Sequence, residues 1–438
     1  MSGLERFVRA STGSARTVKT RLLAMTVVVF LFAGGVPAFA ERAVLKAGVA
    51  RVEITPSVGT PLAGYSKRHG KPSTGIRDPL YVRALVLTQG QETAVFVSGD
   101  MLIFPRPMAE AILRKVSKEL KISRNAIILS ATHTHTGPGA IAPGFLYEIV
   151  FGSYRPQIVE GISARVIWAI RQALKHQQPV RWGTGSGVLP GLIENRRDPG
   201  TGIVDPEMGV FMVESMKGEP LGAVVNAAAH PTLLGSQEMR FSADFPGELT
   251  RLMESSYPGL VCLFVNGAAG DVRPGGSVGT NSEERLKRFA QALAEESTGV
   301  VNQMKIESKA NLATWGRRIS LPPPQLKLGG FTIPSPIGRL MRPSSTYLNL
   351  IALDKTLFVP LPAEITAQLG MDLKRRLSTQ GKRAILFGYA NGYLGYAVTP
   401  EQYKAGGYES WMTWYGPFFG QSLVEQIAAL AGAQSDGK

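Results

Sequence analysis

Ala126-Ile-Ile-Leu-Ser130-Ala-Thr-His133-Thr-His135-Thr-Gly-Pro-Gly139 is the stretch on which the reading of the fold turns. Its first five residues form a short apolar run that ends in polar residues, the pattern of a buried strand. Upstream, Met108 to Leu120 has helical spacing. Downstream, Ile158, Ile162, Val166, Ile170 and Leu174 recur every four residues, which predicts a long helix. Farther out, Arg83–Thr88 and Thr93–Val97 flank a Gln-Gly-Gln turn and read as a hairpin. Leu221–Ala227, Val261–Val265, Leu348–Leu353, Thr356–Val359 and Ala384–Phe387 read as further strands. Asn281 with Glu284 starts a helix carrying Leu286, Phe289 and Leu293, Glu364 opens another, and Leu423–Leu430 is amphipathic. Strands alternating with helices predict an α/β fold, a mixed β-sheet core flanked by helices in one large domain. Two segments break the alternation: an apolar loop, Gly144–Gly152, and the Pro- and Gly-rich Leu321–Pro343. Each reads as either a site wall or ordinary packing.

Composition narrows the chemistry. The chain has 438 residues, one cysteine (Cys262) and five histidines, so a thiolate metal cluster is excluded and any metal must lean on a few imidazoles, carboxylates or tyrosines. Arg6, Arg9, Arg16, Lys19 and Arg21 precede the apolar run Leu22–Phe32, which leads into Ala38-Phe39-Ala40. That order is the layout of a secretory signal, so residues 1–40 are expected to be removed and 41–438 exported, periplasmic or secreted. The alternative is an uncleaved anchor, although the apolar run is short of the ~20 residues a spanning helix needs. The formal charge of +15 falls to +11 without that segment, 43 basic against 32 acidic residues over 398 positions. The basic residues are scattered, with no nucleic-acid recognition motif, so no nucleic acid is expected as a partner. Peripheral contact with an anionic membrane fits the charge better.

The polar residues collect at predicted strand ends. On an extended segment residues i and i+2 share a face, so His133 and His135 are expected to address one site. His230-Pro231 follows the strand Leu221–Ala227. Asp100, Asp244, Asp271, Glu364, Asn391, Tyr393 and Tyr396 also sit at strand ends or in Gly/Pro turns. Singly, each has a bland reading as a cap, turn or packed residue.

Taken in order, the segments resemble the catalytic domain of the neutral/alkaline, non-lysosomal ceramidases. The resemblance rests on Ala47-Gly-Val-Ala-Arg-Val-Glu-Ile-Thr-Pro56, Ala131-Thr-His-Thr-His-Thr-Gly-Pro138, Asn195-Arg196, Ala229-His-Pro-Thr232, Gly270-Asp-Val272, Pro362-Ala-Glu364, Asn391 to Tyr396, Thr399-Pro-Glu-Gln-Tyr403 and Tyr408-Glu409. It implies a zinc ion held by His133, His230, Glu364 and Tyr396, with His135, Arg196 and Tyr408 around the polar head of the substrate. It implies hydrolysis of the amide of ceramide or a related N-acyl lipid. A zinc site of a few N/O ligands with one open position suits that chemistry. In this reading His135 moves a proton, Tyr396 or Tyr408 donates to the oxyanion, and Asp244 and Asp271 orient the ligand imidazoles. Arg196 holds a hydroxyl or an anionic group, and Arg197 is a surface residue. The chain departs from the family in two ways. Arg273 stands where full-length ceramidases carry a serine, and the chain ends at Lys438, too soon for their C-terminal immunoglobulin-like domain. The competing readings are an exported zinc hydrolase of another amide or ester, and a non-catalytic binding protein. An apolar trench beside the metal, walled by Phe145–Phe151 or Phe331–Ile337, is what a lipid amidase needs.

Overall fold

Side-chain alternation on the strands decides how the layers stack. On the strand Tyr81–Gln89, Val82, Ala84 and Val86 enter one hydrophobic core while Leu85 and Leu87 enter another. A strand that is apolar on both faces must be covered on both. The structure, a computed structural model, describes residues 43–276, 279–325, 327–328, 331–332, 338 and 342–433. The expected export signal and most of Phe331–Ile337 lie outside the described residues.

The larger sheet is formed by β1 (Lys46–Glu53), β2 (Tyr81–Gln89), β3 (Glu92–Gly99), β4 (Ile127–Ala131), β5 (Gln178–Val188), β6 (Glu207–Ser215), β7 (Pro220–Ala227), β8 (Val261–Asn266) and β9 (Ile306–Glu307). Its order is β8-β7-β6-β5-β1-β2-β3-β4, with β9 also on β5. The pairs β3/β4 and β7/β8 are parallel, and the other neighbours are antiparallel. A second, four-stranded sheet contains β10 (Leu312–Ser320), β11 (Ser345–Leu353), β12 (Thr356–Pro360) and β13 (Arg383–Phe387), with β12/β13 parallel. The helices are α1 (Arg106–Leu120), α2 (Phe145–Phe151), α3 (Pro156–Lys175), α4 (Asp244–Ser256), α5 (Ser282–Gln303), α6 (Ala367–Thr379), α7 (Pro400–Ala405), α8 (Tyr408–Trp411) and α9 (Phe419–Gly432).

The result is four layers, helices–sheet–sheet–helices. Ile112, Val116, Val166 and Ile170 of α1 and α3 pack on Val82 and Val97. Leu249, Met253, Phe289 and Leu293 of α4 and α5 cover Val225 and Phe264. Between the sheets, Phe96, Phe211, Phe358 and Phe387 meet edge-on, tilted or stacked. Each buried ring contributes roughly 1.5–3 kcal/mol. Leu373, Leu423 and Ile427 of α6 and α9 close the far side over Leu357, Val359 and Leu386. Mixed α/β architecture is therefore as expected, but the core is two stacked sheets rather than one. The alternating strands of the second sheet look in sequence like strands of the first, so composition alone does not separate the two.

Polar side chains tie strand ends together, within the larger sheet and across to the smaller one, where the site will lie. Ser98 Oγ donates to Phe264 O at 2.5 Å, Ser130 Oγ to Gly388 O at 2.8 Å, and Asn226 Nδ2 to Val265 O and Leu386 O at 3.0 and 2.7 Å. These bonds gather the C-terminal ends of the three parallel pairs of the two main sheets at one edge. Two local expectations are corrected. Gly144–Gly152 is not an irregular loop: its interior is α2, a helix of seven residues between glycines at φ 114° and 72°, too short to show periodicity. Glu364 does not open a helix. It pairs with Tyr396 in a two-residue parallel ladder, and α6 begins at Ala367 after an extended Thr366.

Candidate active site

The chain leaving β4 turns sharply. His133 has φ 71°, a left-handed conformation costing a non-glycine residue about 1–3 kcal/mol. The two histidines therefore do not share a face by extended period-two geometry, as the sequence suggested. The kink at His133 brings them together instead, with ring centroids 5.0 Å apart and nearly perpendicular. Buried Arg68 anchors this turn, donating to Ala63 O at 2.9 Å and to His135 O at 2.5 Å. Gly64, at φ 102°, lies against His135, and a Cβ there would sit 2.7 Å from Nδ1.

His230, after β7, arrives beside them. His133–His230 and His135–His230 centroid distances are 4.8 and 5.7 Å, and the three imidazoles offer nitrogen atoms within 4.8 Å of one another. Backbone carbonyls fix the tautomers. Nδ1–H of His133 donates to Leu102 O at 2.8 Å, and Nδ1–H of His230 to Ala269 O at 2.6 Å. Each ring is thereby left with a bare Nε2 lone pair. Those atoms lie 3.5 and 3.3 Å from the same oxygen, Oε2 of Glu364. The other carboxylate oxygen accepts from Tyr393 OH at 2.5 Å.

Electrostatics leave this arrangement short of a cation. Burial, then Arg196, pushes His230 down to about 4, so it is neutral at pH 7. Burial and the two neighbouring imidazoles hold His135 well below its usual value. Burial alone would raise Glu364, but positive charge placed beside it at the Nε2 atoms of His133 and His230 outweighs burial and keeps the carboxylate ionised. His230 Nε2, Glu364 Oε2 and both ring nitrogens of His135 are buried with no hydrogen-bond partner among the described residues. Buried acceptors facing one another are costly unless something positive sits between them. The donor set, imidazole nitrogen plus carboxylate oxygen, is the set zinc accepts.

A charged rim flanks the cluster. Arg196 donates from Nη2 to Tyr396 OH at 2.9 Å and to Gly270 O at 2.7 Å, and from Nε to Glu409 Oε1 at 2.9 Å. Tyr396 stands opposite Glu364 in the short ladder. Burial, then Glu364, raises its phenol well above the usual range. Tyr408, 56% exposed, packs edge-on against Tyr396 at 5.6 Å and so stands at the solvent side of the group. The sequence-derived residues His133, His135, His230, Glu364, Tyr396, Arg196 and Tyr408 thus lie together.

Other expectations are corrected. Asp244 and Asp271 do not orient imidazoles. Asp271 accepts from Ala367 N, Asn195 Nδ2 and Gln402 Nε2, tying the start of α6 to the arginine loop. Asp244 accepts from Leu234 N and Phe245 N at the start of α4. Backbone carbonyls do the orienting, which no residue type reveals. Arg197 is no bystander: its guanidinium holds Glu409, Gln402 O and Gly406 O. Arg273 donates to Glu194 at 2.6 Å across a two-strand ladder and is half exposed. Sequence reasoning also missed Tyr389, which stacks on His133 at 3.7 Å and 7°. Its only signal was its place just after a predicted strand.

A cavity of about 200 Å³ adjoins the cluster through Tyr393 and is lined by Ile103, Ala142, Tyr147, Trp414 and Tyr415 together with Arg106 and Arg342. Tyr147 of α2 supplies part of the wall expected from Phe145–Phe151.

A buried N/O donor set able to hold a metal ion, with an arginine–tyrosine rim, thus sits on strand ends of an α/β sandwich. A family model for the neutral/alkaline non-lysosomal ceramidase N-terminal region matches residues 45–302, and the chain belongs to that family. Among curated relatives, it is 24% identical to the neutral ceramidase of Pseudomonas aeruginosa, over 95% of this chain and 76% of that one. It is 20% identical to the neutral ceramidase of Mycobacterium tuberculosis, over 86% and 75%. The crystal structure of the Pseudomonas aeruginosa enzyme superposes with a TM-score of 0.79 at 20% identity, covering 90% of this chain and 75% of that one. A ceramidase complexed with C2 gives the same TM-score at 19% identity, covering 90% and 76%.

Proposed function

We propose that the chain is a zinc-dependent amidohydrolase that cleaves the N-acyl amide of ceramide or a related N-acyl lipid, releasing a fatty acid and an amine. The observation that carries this reading is the pair of bare Nε2 lone pairs, on His133 and His230, aimed at one unpartnered oxygen of Glu364. The naming of the relatives as neutral ceramidases supports the substrate. His133, His230 and Glu364 would hold the metal, with Tyr396 completing the set. Zinc, when bound, supplies Lewis acidity and brings the pKa of water from 15.7 to ~7.

The protein's own groups do the rest. His135, neutral and unpartnered, takes a proton from the attacking water and delivers it to the departing nitrogen. Water thereby adds its oxygen to the acyl carbon, the C–N bond breaks, and the amine leaves with the proton. Tyr408, beside Tyr396, donates to the developing oxyanion. Arg196, fixed on three sides, holds the phenol of Tyr396 and offers its charge to the polar head of the substrate. Export after cleavage near Ala40 and peripheral contact with an anionic membrane belong to the same reading, supported by the leader pattern and the basic charge.

Product analysis on ceramide tests the reading. Wild-type protein should release fatty acid and sphingoid base in equal amounts, and His133→Ala should release neither. Metal binding without release from ceramide or any N-acyl lipid would leave the binding-protein reading in its place.

A further inference from the structure

The cavity beside Tyr393 carries a charge that the ceramidase reading leaves unused. Two arginines, Arg106 and Arg342, line it, and none of the residues that line it is acidic. Of the other guanidiniums near the reactive cluster, Arg196 and Arg197 share Glu409, and Arg68 donates to five backbone carbonyls. Arg342 has no ion-pair partner among the described residues. It donates from Nη1 to Tyr147 OH at 2.8 Å and lies 3.4 Å over the ring of Trp414. Its Nε is buried with no hydrogen-bond partner. Ring faces stabilise a guanidinium by about 2 kcal/mol when it is desolvated, less than a buried counter-ion supplies.

A second positive feature opens on the same space. Pro105, Arg106 and Pro107 line the cavity and form the start of α1, a helix of 15 residues. Its N-cap is a proline with no side-chain cap, and its first turn holds no acid. The positive end of that helix therefore adds to the two arginines instead of being offset.

Resting on the amidohydrolase reading, we infer that the enzyme prefers, over amides with a neutral head such as ceramide, N-acyl amides carrying an anionic group, carboxylate or phosphate, which Arg342 and the start of α1 receive while the amide lies at the histidine cluster. Tyr393 links the two, lining the cavity and bonding Glu364. The aromatic and proline walls take the methylenes between amide and anion. At about 30 Å³ per water-sized group, the 200 Å³ cavity holds a short segment. That sets the length of the probes. Arg342 determines specificity here and takes no part in bond cleavage.

Three amides of equal acyl length test this on the zinc-loaded full chain: neutral N-hexanoyl ethanolamine, N-hexanoyl aminoethyl phosphate, with the anion on the amine side, and N-adipoyl ethanolamine, with a terminal carboxylate on the acyl side. At least one anionic amide should be hydrolysed with kcat/KM tenfold or more above the neutral one, and which one locates the anion. Arg342→Met should collapse that ratio toward one, and Arg342→Lys should restore part of it. A wild-type enzyme that uses the neutral amide as well as both anionic ones, or an Arg342→Met variant that keeps the preference, would overturn the inference. Failure to hydrolyse any of the three would count against the amidase reading. Binding of hexyl phosphate against hexanol then decides the cavity alone. Phosphate binding at least tenfold tighter and lost in Arg342→Met upholds the anion site, and equal binding overturns it.

Discussion

His133 condenses the residue-scale argument: a strained backbone, a tautomer set by a carbonyl, and a lone pair aimed at Glu364. Replacing it with alanine should abolish metal retention, read by elemental analysis, and lower hydrolysis by at least 10³-fold. His135→Gln should retain the metal but lower kcat by about 10²–10⁴-fold, the worth of a positioned acid–base; an unchanged kcat would remove His135 from the proton path. Asp244 offers a pH test. Burial raises its carboxyl to about 6, above the unfolded value of ~3.9. The folded state then binds more protons between about pH 4 and 6, so this residue's contribution to stability falls as pH rises through that window. Asp244→Asn should flatten that part of the profile, measured as urea midpoints at pH 4, 5, 6 and 7. The histidines were legible because the chain has so few. Carbonyl orientation by Leu102 and Ala269 was not, because every residue owns a carbonyl.

Among the elements, the short helix α8 acts through Glu409, which is buried and pairs with both Arg196 and Arg197. Glu409→Ala leaves two partly buried guanidiniums without their anion, a loss of about 3–5 kcal/mol for a broken buried pair. It should also lower kcat/KM more than metal content, because Arg196 loses one of its three anchors. Equal loss of both would mean that α8 only supports the fold. The strands β2 to β4 and the long helices were readable from periodicity. The ladder joining Glu364 to Tyr396 was not: two-residue strands carry no pattern, and the sequence placed Glu364 in a helix. The helix α2 escaped for the same reason of length.

At the scale of the whole molecule, the proposed metal ligands come from both sheets. His133 and His230 follow β4 and β7 of the larger sheet, while Glu364 follows β12 of the smaller one. The interface between sheets must therefore be rigid for the site to exist. Phe358, fully buried against Phe96 and Phe211, is its centre. Phe358→Ala should cost about 3–5 kcal/mol in denaturant unfolding. It should also weaken metal binding although it touches no ligand. The stacking of two sheets was hidden in the sequence because both carry strands of the same apolar alternation. The basic surface predicts binding to anionic vesicles that weakens as salt rises; equal binding to neutral vesicles would contradict it. The most direct measurement is a zinc titration of chelator-stripped protein, following ceramide hydrolysis. The account predicts no turnover without metal and activity that saturates at one zinc per chain. Hydrolysis that survives complete metal removal, or its absence with one zinc bound, would contradict it.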